Sequence, residues 1–333
     1  MRLVGDIGAT HTRLGTARAA TAEAASGVEA VEVFASAEAP SLEPLLVRYT
    51  RDRVEDFTEA VLGVPGPVRR GAVQTTNLPW RVEQDRLAER LGCPVTLLND
   101  VEVAAWGVAA AEARGLCDTL QAGRPEAGAA RVLLTLGTGL GQAVIARTPE
   151  GWWPLASEGS HVDFGPADDR DAALWREARN EWGHVSWERF VSGPGLVRLV
   201  RFLAAEQRVP TPAGLDGPSP VAAIVQRARD GDCELSRRAV GWLSRLLGAQ
   251  AGNLALAACA LGGVYLAGGL LKRLGRALDT TALVEAFRAK GRYRDLLAEV
   301  PLRLVPDDLL GLRGAALVPR SRLDHSVSSS SKG

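Results

Sequence analysis

Two glycine-bearing loops, each set between strand-like runs, constrain this chain more than any other feature. They are residues 5–13 (GDIGATHTR) and residues 136–141 (LGTGLG). Strand-like runs then continue over 13–17 and 142–147. Glycine at such a turn lets backbone N–H groups converge on anionic oxygens without interference from a Cβ atom. The pair of loops therefore predicts two anion-binding turns in a chain that mixes strands and helices.

The second loop differs from two widespread phosphate-binding motifs. No Gly-Lys-Ser/Thr follows it, as a Walker A loop requires. It also lacks the third glycine and the helix start of a dinucleotide-binding fingerprint. Seen alone, it is equally typical of a tight hairpin turn. Its pairing with the first loop favours phosphate binding.

Two acidic positions stand at chemically useful places. Asn99 and Asp100 follow an apolar run at 95–98 and precede a helical pattern at 101–114. Both residue types cap helices, but strand ends in open α/β sheets also face the ligand crevice. A carboxylate there can accept the proton of an attacking hydroxyl. Asp6, in the first loop, either caps local N–H groups or holds Mg²⁺ through water.

Two further segments gather carboxylates and imidazoles. They are residues 158–163 (EGSHVD) and 183–188 (GHVSWE). Such side chains hydrogen-bond to the adjacent hydroxyls of a polyol. A metal site is the competing interpretation, since these segments contain ligand types: His161, Asp163, His184 and Glu188. No HExxH or similar helical spacing supports that alternative.

Composition restricts the partner and the compartment. Lys+Arg and Asp+Glu both number 39 in 333 residues, so neither a nucleic acid nor a membrane surface is expected as partner. The four cysteines are scattered and form no CxxC pair, which predicts reduced thiols rather than zinc. The N-terminus enters a strand without a signal-peptide pattern. We expect a cytoplasmic protein that acts on a small molecule.

Hydrophobic periodicity predicts an α/β chain in which one order of elements occurs twice. The predicted strands are 3–7, 14–17, 28–34, 60–64, 95–98, 131–136, 142–147, 151–155 and 263–267. The predicted helices are 42–53, 82–91, 101–114, 171–181, 194–206, 219–230 and 234–260, with one more following 268–269 and one near 307–317. Residues 115–128 lack periodicity and are expected to form a loop.

Taken together, these motifs resemble the bacterial glucokinases of the hexokinase/actin-like ATPase superfamily. The matching segments run in family order: 5–10, 66–68, 76–80, 98–100, 137–141, 158–164, 183–186, 188–189, 192–196 and 262–269. The resemblance implies a two-lobed, ribonuclease H-like α/β fold of the actin/hexokinase type with a central cleft. The small lobe would be 1–110 plus about 305–320, and the large lobe 111–304. Residues 321–333 are expected to form a disordered tail.

The resemblance also implies an activity, which is ATP-dependent phosphorylation of glucose at the 6-hydroxyl to give glucose 6-phosphate, a step of glycolysis. Asp100 would be the catalytic base, and the sugar ligands would be Asn99, Glu158, His161 and Glu188. The nucleotide-binding residues would be Asp6, Gly8, Thr10, Gly137, Thr138, Gly139, Gly268 and Gly269. ATP with Mg²⁺ is the implied cofactor, the metal having no direct protein ligand and only a water-mediated contact with Asp6. A homodimer is the implied assembly.

Three residues depart from the family pattern. Ala9 replaces the second glycine of the first loop, His11 replaces an asparagine, and Ser160 replaces a glycine. If Ala9 occupies a positive φ, its Cβ costs about 1 kcal/mol. The departures bear on nucleotide affinity and on the choice of donor.

Three other functions remain open at this point. The same fold could phosphorylate another hexose, or use another donor such as polyphosphate. A sugar-responsive regulator would bind glucose without turnover; such proteins usually carry a DNA-binding helix-turn-helix ahead of the fold, and none is expected here. An actin-like ATPase would keep both loops but would not need the residues Glu158, His161 and Glu188.

Overall fold

The computed structural model describes residues 1–18, 27–51, 53, 57–76 and 78–323. The chain divides into two units, one formed by Met1–Leu116, Thr148–Ala156 and Asp307–Gly333, and the other by Cys117–Arg147 and Ser157–Pro306. These units are defined by contacts between residues. The expected lobes are defined by their movement relative to each other, so the bounds of the lobes stay a prediction. Of the segments singled out above, Asn77 and positions 324–333 of the expected tail lie outside the described residues. Leu323, within that expected tail, is buried in the core of the first unit.

The strands, in chain order, are β1 (Arg2–Ile7), β2 (His11–Ala17), β3 (Val28–Ala35), β4 (Glu59–Val64), β5 (Ala72–Gln74), β6 (Arg81–Glu83), β7 (Val95–Asn99), β8 (Asp118–Gln121), β9 (Arg131–Leu136), β10 (Leu140–Thr148), β11 (Gly151–Ser157), β12 (Gly263–Ala267) and β13 (Leu302–Val305). The α-helices are α1 (Leu42–Thr50), α2 (Gln84–Leu91), α3 (Asp100–Ala113), α4 (Asp169–Trp182), α5 (Gly193–Gln207), α6 (Pro220–Asp230), α7 (Glu234–Ala257), α8 (Gly269–Leu274), α9 (Thr280–Arg288), α10 (Arg294–Glu299) and α11 (Leu310–Leu317). Among the described residues, no helix has both the length and the apolar character needed to cross a membrane.

The first unit is built on a five-stranded sheet with the order β3-β2-β1-β4-β7. Strand β1 is antiparallel to β2 and parallel to β4, which is in turn parallel to β7. The three parallel strands therefore end at one edge of the sheet. The register pairs Asp6 with Gly63 and Val64 with Asn99, so the first loop and the Asn99–Asp100 pair share that edge.

The second unit repeats the β2-β1-β4-β7 arrangement in strands with the order β10-β9-β12-β13, to which β8 is added. Strand β9 is antiparallel to β10 and parallel to β12, and β12 is parallel to β13. The added strand β8 is antiparallel to β13. Because Ala267 pairs with Thr135, the second loop and Gly268 follow neighbouring strand ends. The predicted repeat of one α/β order is confirmed.

Apolar layers cover the central strands of both sheets. In the first unit, Leu3 and Val4 are both fully buried but belong to separate clusters, since successive strand residues face opposite sides of a sheet. In the second unit, β9 and β12 pack with α4, α5, α6 and α7 in one large core. Burial on both faces explains why these strands read as continuous apolar runs.

Several element predictions need correction. Residues 115–128 contain strand β8, and 82–91 begins with strand β6 before α2 starts at Gln84. Helices α9 and α10 and strand β13 occupy a region in which no element is predicted from hydrophobic periodicity. The helix expected at 234–260 ends at Ala257, shortly before Cys259, which has a φ of 46°.

Candidate active site

The Asn99–Asp100 pair forms the start of α3. Asn99 Oδ1 accepts hydrogen bonds from the N–H groups of Val101 (3.0 Å) and Glu102 (3.1 Å), so Asn99 is the N-cap. Its Nδ2 donates to the carbonyl of Gly66 at 3.3 Å, and one further N–H of the amide remains to contact a ligand. Asp100 is the first residue of the helix and is half-buried, with Oδ1 accepting from Val101 N–H at 2.9 Å.

A second carboxyl in the same helical turn, that of Glu102, is placed differently. Glu102 is 5% exposed, and its Oε1 accepts from Arg322 Nε (3.1 Å) and Nη2 (3.0 Å). Burial raises the pKa of Glu102, and the Arg322 guanidinium opposes that rise. Glu102 is thus enclosed by protein, whereas the side chain of Asp100 is partly exposed.

The first loop is a hairpin turn between β1 and β2. Gly8 N–H donates to the carbonyl of His11 at 2.9 Å. A Cβ atom on Gly8 would stand 3.0 Å from that same oxygen, so a side chain at this position would press on the carbonyl that closes the turn. The described non-glycine residues with positive φ are Ala30, Arg70, Arg208 and Cys259. Ala9 is not among them, so the strain considered for this departure is absent.

Ser36 holds this loop, and sequence reasoning did not find it. Its Oγ donates to the carbonyl of Gly8 at 2.7 Å, and its N–H donates to the carbonyl of Thr10 at 3.1 Å. The side chain is fully buried and also contacts Thr12 Oγ1 at 3.0 Å. These contacts arise only because β3 pairs with β2 and brings residue 36 beside the loop. No local pattern in the sequence signals such a contact.

Asp6 lies beside this loop, at the end of β1. Its side chain is 23% exposed, and its Oδ2 is 3.9 Å from Arg13 Nη1. Burial among protein atoms raises the pKa of Asp6 above its ordinary value of 3.8, and the charge of Arg13 opposes the rise. Gly311 of α11 packs so closely that an added Cβ would stand 2.6 Å from Asp6 Cγ. This contact, also invisible in the sequence, fixes where the carboxyl can lie.

The second loop occupies the end of β9 in the second unit. Gly137 N–H donates to the carbonyl of Gly139 at 2.9 Å, and Gly193, at the start of α5, donates to the carbonyl of Gly137 at 3.0 Å. Thr138 is exposed at the tip of the loop. The loop is thus closed by its own backbone and by the N-terminus of α5, an element that commonly faces anions.

Gly268 and Gly269 form the turn between β12 and α8. Gly268 has a φ of 112°, and a Cβ there would stand 2.4 Å from the carbonyl oxygen of Leu136. Leu136 is the residue before Gly137, so the structure brings this turn against the second loop. Two of the predicted nucleotide segments are therefore neighbours within the second unit.

Glu158 is the N-cap of a short 3₁₀ turn, Gly159–His161, and His161 is the last residue of that turn. Glu158 Oε2 is 3.8 Å from His161 Nε2, and both side chains are about half exposed. His184 contacts this turn and the residues after it. Its Nε2 is 2.9 Å from the carbonyl oxygen of His161, and its Nδ1 is 3.2 Å from Asp163 Oδ1. Among the described residues, no group of three or more His, Cys, Asp or Glu side chains is arranged to hold a metal ion.

Glu188 connects these residues to the second loop. Its Oε2 accepts a hydrogen bond from Leu140 N–H at 2.9 Å. A Cβ on Gly139 would stand 2.5 Å from the same oxygen, so the absence of a side chain at 139 makes room for the carboxylate. The predicted sugar ligand Glu188 thus touches a predicted phosphate loop.

Comparison with known proteins identifies the family of this chain. The glucokinase family model matches residues 3–322. Glucokinases of Yersinia pestis (strain Pestoides F) and Yersinia pseudotuberculosis (serotype O:1b, strain IP 31758) are each 32% identical over 331 residues, which cover 98% of this chain and 98% of each relative.

Solved structures give the same result. A glucokinase from an Antarctic psychrotroph, 32% identical, has a TM-score of 0.79 and covers 95% of this chain and 97% of its own. A ROK family glucokinase from Streptomyces griseus, solved with glucose and AMPPNP, is 22% identical with a TM-score of 0.68, covering 96% and 99%. The second likeness shows the fold alone. Together these structures confirm the expected α/β fold of the actin/hexokinase type. Because the family match runs through both units and every segment described above, the chain belongs to the glucokinase family.

Proposed function

We propose that the enzyme transfers the γ-phosphoryl group of ATP to the 6-hydroxyl of glucose, giving glucose 6-phosphate and ADP. The observation that carries this proposal is the shared edge of the first sheet, where the Asp6 loop follows β1 and Asp100 follows β7, two parallel strands with β4 between them. A phosphate-binding turn and an accessible carboxyl at one edge are what phosphoryl transfer to an alcohol needs. The family match over residues 3–322 supports the same activity.

Asp100 acts as the general base in this proposal. An alcohol is a weak nucleophile, so the carboxylate accepts the 6-hydroxyl proton as that oxygen forms its bond to the γ-phosphorus. The bond from the γ-phosphorus to the β,γ-bridging oxygen breaks, and ADP leaves with that oxygen. The helix cap at Asn99 fixes the backbone from which Asp100 projects.

Four residues hold the remaining sugar hydroxyls in the proposal. They are Asn99, Glu158, His161 and Glu188. A carboxylate accepts hydrogen bonds from adjacent hydroxyls, and a sugar that lacks the matching hydroxyl leaves the carboxylate unpaired. That penalty is the source of selectivity among hexoses.

The nucleotide is assigned to Asp6, Gly8, Thr10, Gly137, Thr138, Gly139, Gly268 and Gly269. The donor set fits Mg²⁺ that travels with ATP, because that ion takes oxygen ligands and needs only one or two carboxylates besides the phosphates. Asp6 offers one such carboxylate, 23% exposed, at the first loop. When bound, the ion supplies charge neutralisation at the phosphates. AMPPNP in the Streptomyces griseus glucokinase is consistent with ATP as the donor.

A coupled assay of ADP release, with and without glucose, tests the proposed function. Release that requires glucose is expected. Release without sugar would favour an ATPase, and glucose binding without release would favour a regulator. The same assay over a panel of hexoses measures selectivity. A parallel measurement of glucose 6-phosphate formation, with polyphosphate in place of ATP, tests the alternative donor.

The raised pKa of Asp6 predicts a pH dependence of nucleotide use. Mg²⁺ requires the carboxylate form, so protonation of Asp6 competes with binding at a higher pH than an ordinary carboxyl would allow. We expect kcat/KM for MgATP, at saturating glucose, to fall as the pH is lowered through that raised pKa. The stability of the free protein depends on pH in the opposite direction. Protonated Asp6 stabilises the folded state at low pH, and this stabilisation is lost as the pH rises through the pKa of Asp6 in the folded protein.

The Asp6→Asn variant should lose this component of the pH profile and have a lower kcat/KM at pH values above the raised pKa of Asp6. Asp216→Asn is the control, since it removes a surface carboxyl whose side chain is 82% exposed. Superimposable pH profiles for Asp6→Asn and the unchanged enzyme would exclude a role for Asp6 in metal-nucleotide binding.

Replacing Gly139 with alanine is expected to raise the KM for glucose by about 10- to 100-fold. The new Cβ would stand 2.5 Å from Glu188 Oε2 and displace that carboxylate. Gly137→Ala is the matched control in the same loop, because nothing lies within 4 Å of its added Cβ. It should leave the KM for glucose within about twofold, whatever its effect on ATP. Equal effects of the two substitutions on glucose would contradict the role of Glu188.

The proposal also includes a cytoplasmic homodimer. Its support is the family membership, since glucokinases of this kind commonly form dimers. Sedimentation of the full chain, with and without glucose, is the direct measurement of its mass. A mass of one chain under all conditions would exclude the dimer.

A further inference from the structure

Gln142 is a buried amide in the sheet of the second unit. It is the third residue of β10, pairs with Leu134 of β9 and is 1% exposed. Its Nε2 has no hydrogen-bond partner among the described residues. A buried donor without a partner costs free energy, and native proteins seldom leave one unsatisfied. Methionine would fill a similar volume without this cost, so the amide at 142 needs an explanation other than packing.

The side chain of Gln142 lies against the turn that carries two predicted sugar ligands. A Cβ on Gly159 would stand 2.7 Å from Gln142 Oε1 and 3.7 Å from Cδ. The N–H of Gly159 donates a hydrogen bond to Ser157 Oγ at 3.0 Å, which holds Gly159 in place. Glu158 precedes Gly159 directly, and His161 follows two residues later. The unpaired amide is therefore packed underneath this turn rather than elsewhere in the core.

The turn above Gln142 carries two side chains, those of Glu158 and His161, whose contacts would change when a hexose binds. Glu158 and His161 face each other at 3.8 Å, with side chains 48% and 49% exposed. When sugar hydroxyls bind to these two side chains, Glu158 and His161 lose their contact with each other and with water and form hydrogen bonds to the sugar instead. The turn then needs a fixed support, and the buried amide of Gln142, which packs against Gly159 through its Oε1, can supply one.

We propose that Gln142 is a positioning residue for the sugar, whose amide N–H donates to an oxygen of the 158–161 turn in the hexose complex. The hydrogen bond holds Glu158 and His161 in the orientation that the hydroxyls require. In the free enzyme the donor stays unpaired, and sugar binding satisfies it. This inference rests on the proposed binding of glucose and adds a residue that the family motifs described above do not include.

The Gln142→Met variant tests the proposal through kinetics and stability together. It keeps the volume and removes the donor, so its melting temperature should equal or exceed that of the unchanged enzyme. Its KM for glucose should rise about tenfold, while kcat and the KM for ATP stay within about twofold. A merely structural amide would give the reverse pattern, with lower stability and no selective effect on glucose.

Ser236→Ala is the matched control. Ser236, in α7, is fully buried and its Oγ also lacks a partner among the described residues. It should keep or gain stability without a change in the KM for glucose. Gly159→Ala is a second variant, because its Cβ would displace the Gln142 amide, and it should show the same selective rise in the KM for glucose.

The outcomes separate this inference from the proposed function. If the unchanged enzyme releases no ADP in response to glucose, the proposed function is wrong. If it does, an unchanged KM for glucose in Gln142→Met overturns the role of Gln142 alone. Equal rises in the KM for glucose and ATP, with a lower melting temperature, would also overturn it.

Discussion

Replacing Asp100 with asparagine is expected to lower kcat by about 10²- to 10⁴-fold, the usual contribution of a general base. Asparagine keeps the shape of the side chain, and its Oδ1 can still accept from Val101 N–H, a contact of 2.9 Å in the structure. The start of α3 should therefore be preserved, since Asn99 provides the cap. Glucose binding should persist, because the other proposed sugar ligands are unchanged. ADP release and the shift in melting temperature with glucose measure the two effects separately.

Glu102→Gln is the control for this experiment. Glu102 belongs to the same helical turn, but it is buried and bound to Arg322. Its replacement should change kcat by no more than a few-fold, although it alters a buried ion pair. A near-normal kcat in Asp100→Asn, or an equal loss in both variants, would exclude Asp100 as the base.

Replacing Asp171 with alanine is expected to lower the free energy of unfolding by about 3–5 kcal/mol, the cost of breaking a buried ion pair from one side. Asp171, in α4, is fully buried. Its Oδ1 accepts from Trp242 Nε1 at 2.8 Å and from Arg245 Nη2, and its Oδ2 accepts from Ala167 N–H at 3.1 Å. Removal of this carboxylate leaves Trp242 Nε1 and Ala167 N–H without their acceptor, and leaves Arg245 with Asp168 alone, at 3.5 Å.

Asp168→Ala is the control for the stability measurement. Asp168 caps α4 through a 2.8 Å hydrogen bond from Asp171 N–H, but its side chain is 52% exposed. Its loss should cost about 1 kcal/mol, as is usual for a helix cap. Urea unfolding followed by tryptophan fluorescence compares the two variants. A cost for Asp171→Ala no greater than that for Asp168→Ala would show that the buried network contributes little.

The sequence sufficed for the elements whose signal is local. The central strands β4, β7, β9 and β12 were predicted within one or two residues because they are buried on both faces and read as apolar runs. The boundary at Asn99 was also found, since one residue type ends the strand and caps the helix. The family resemblance then supplied residue roles that these patterns alone left open.

What the sequence did not predict depends on contacts between distant residues. Strand β8 is short, has two exposed residues out of four and is identifiable only through its pairing with β13. Ser36, Gly311 and Gln142 matter because other elements bring them against the loops and turns of the site. The strain that a positive φ would cause at Ala9 does not arise, because this turn keeps that residue out of the left-handed region. Roles for the individual site residues stay predictions until variants are measured.

The most direct test of the central claim is the identity of the product. Enzyme, MgATP and glucose are incubated, and the sugar phosphate is examined by ³¹P NMR with coupling to the sugar protons. We expect one ester, on the oxygen at carbon 6, and no sugar phosphate when 6-deoxyglucose replaces glucose. An ester at another position, or ADP formed without any sugar phosphate, would contradict it.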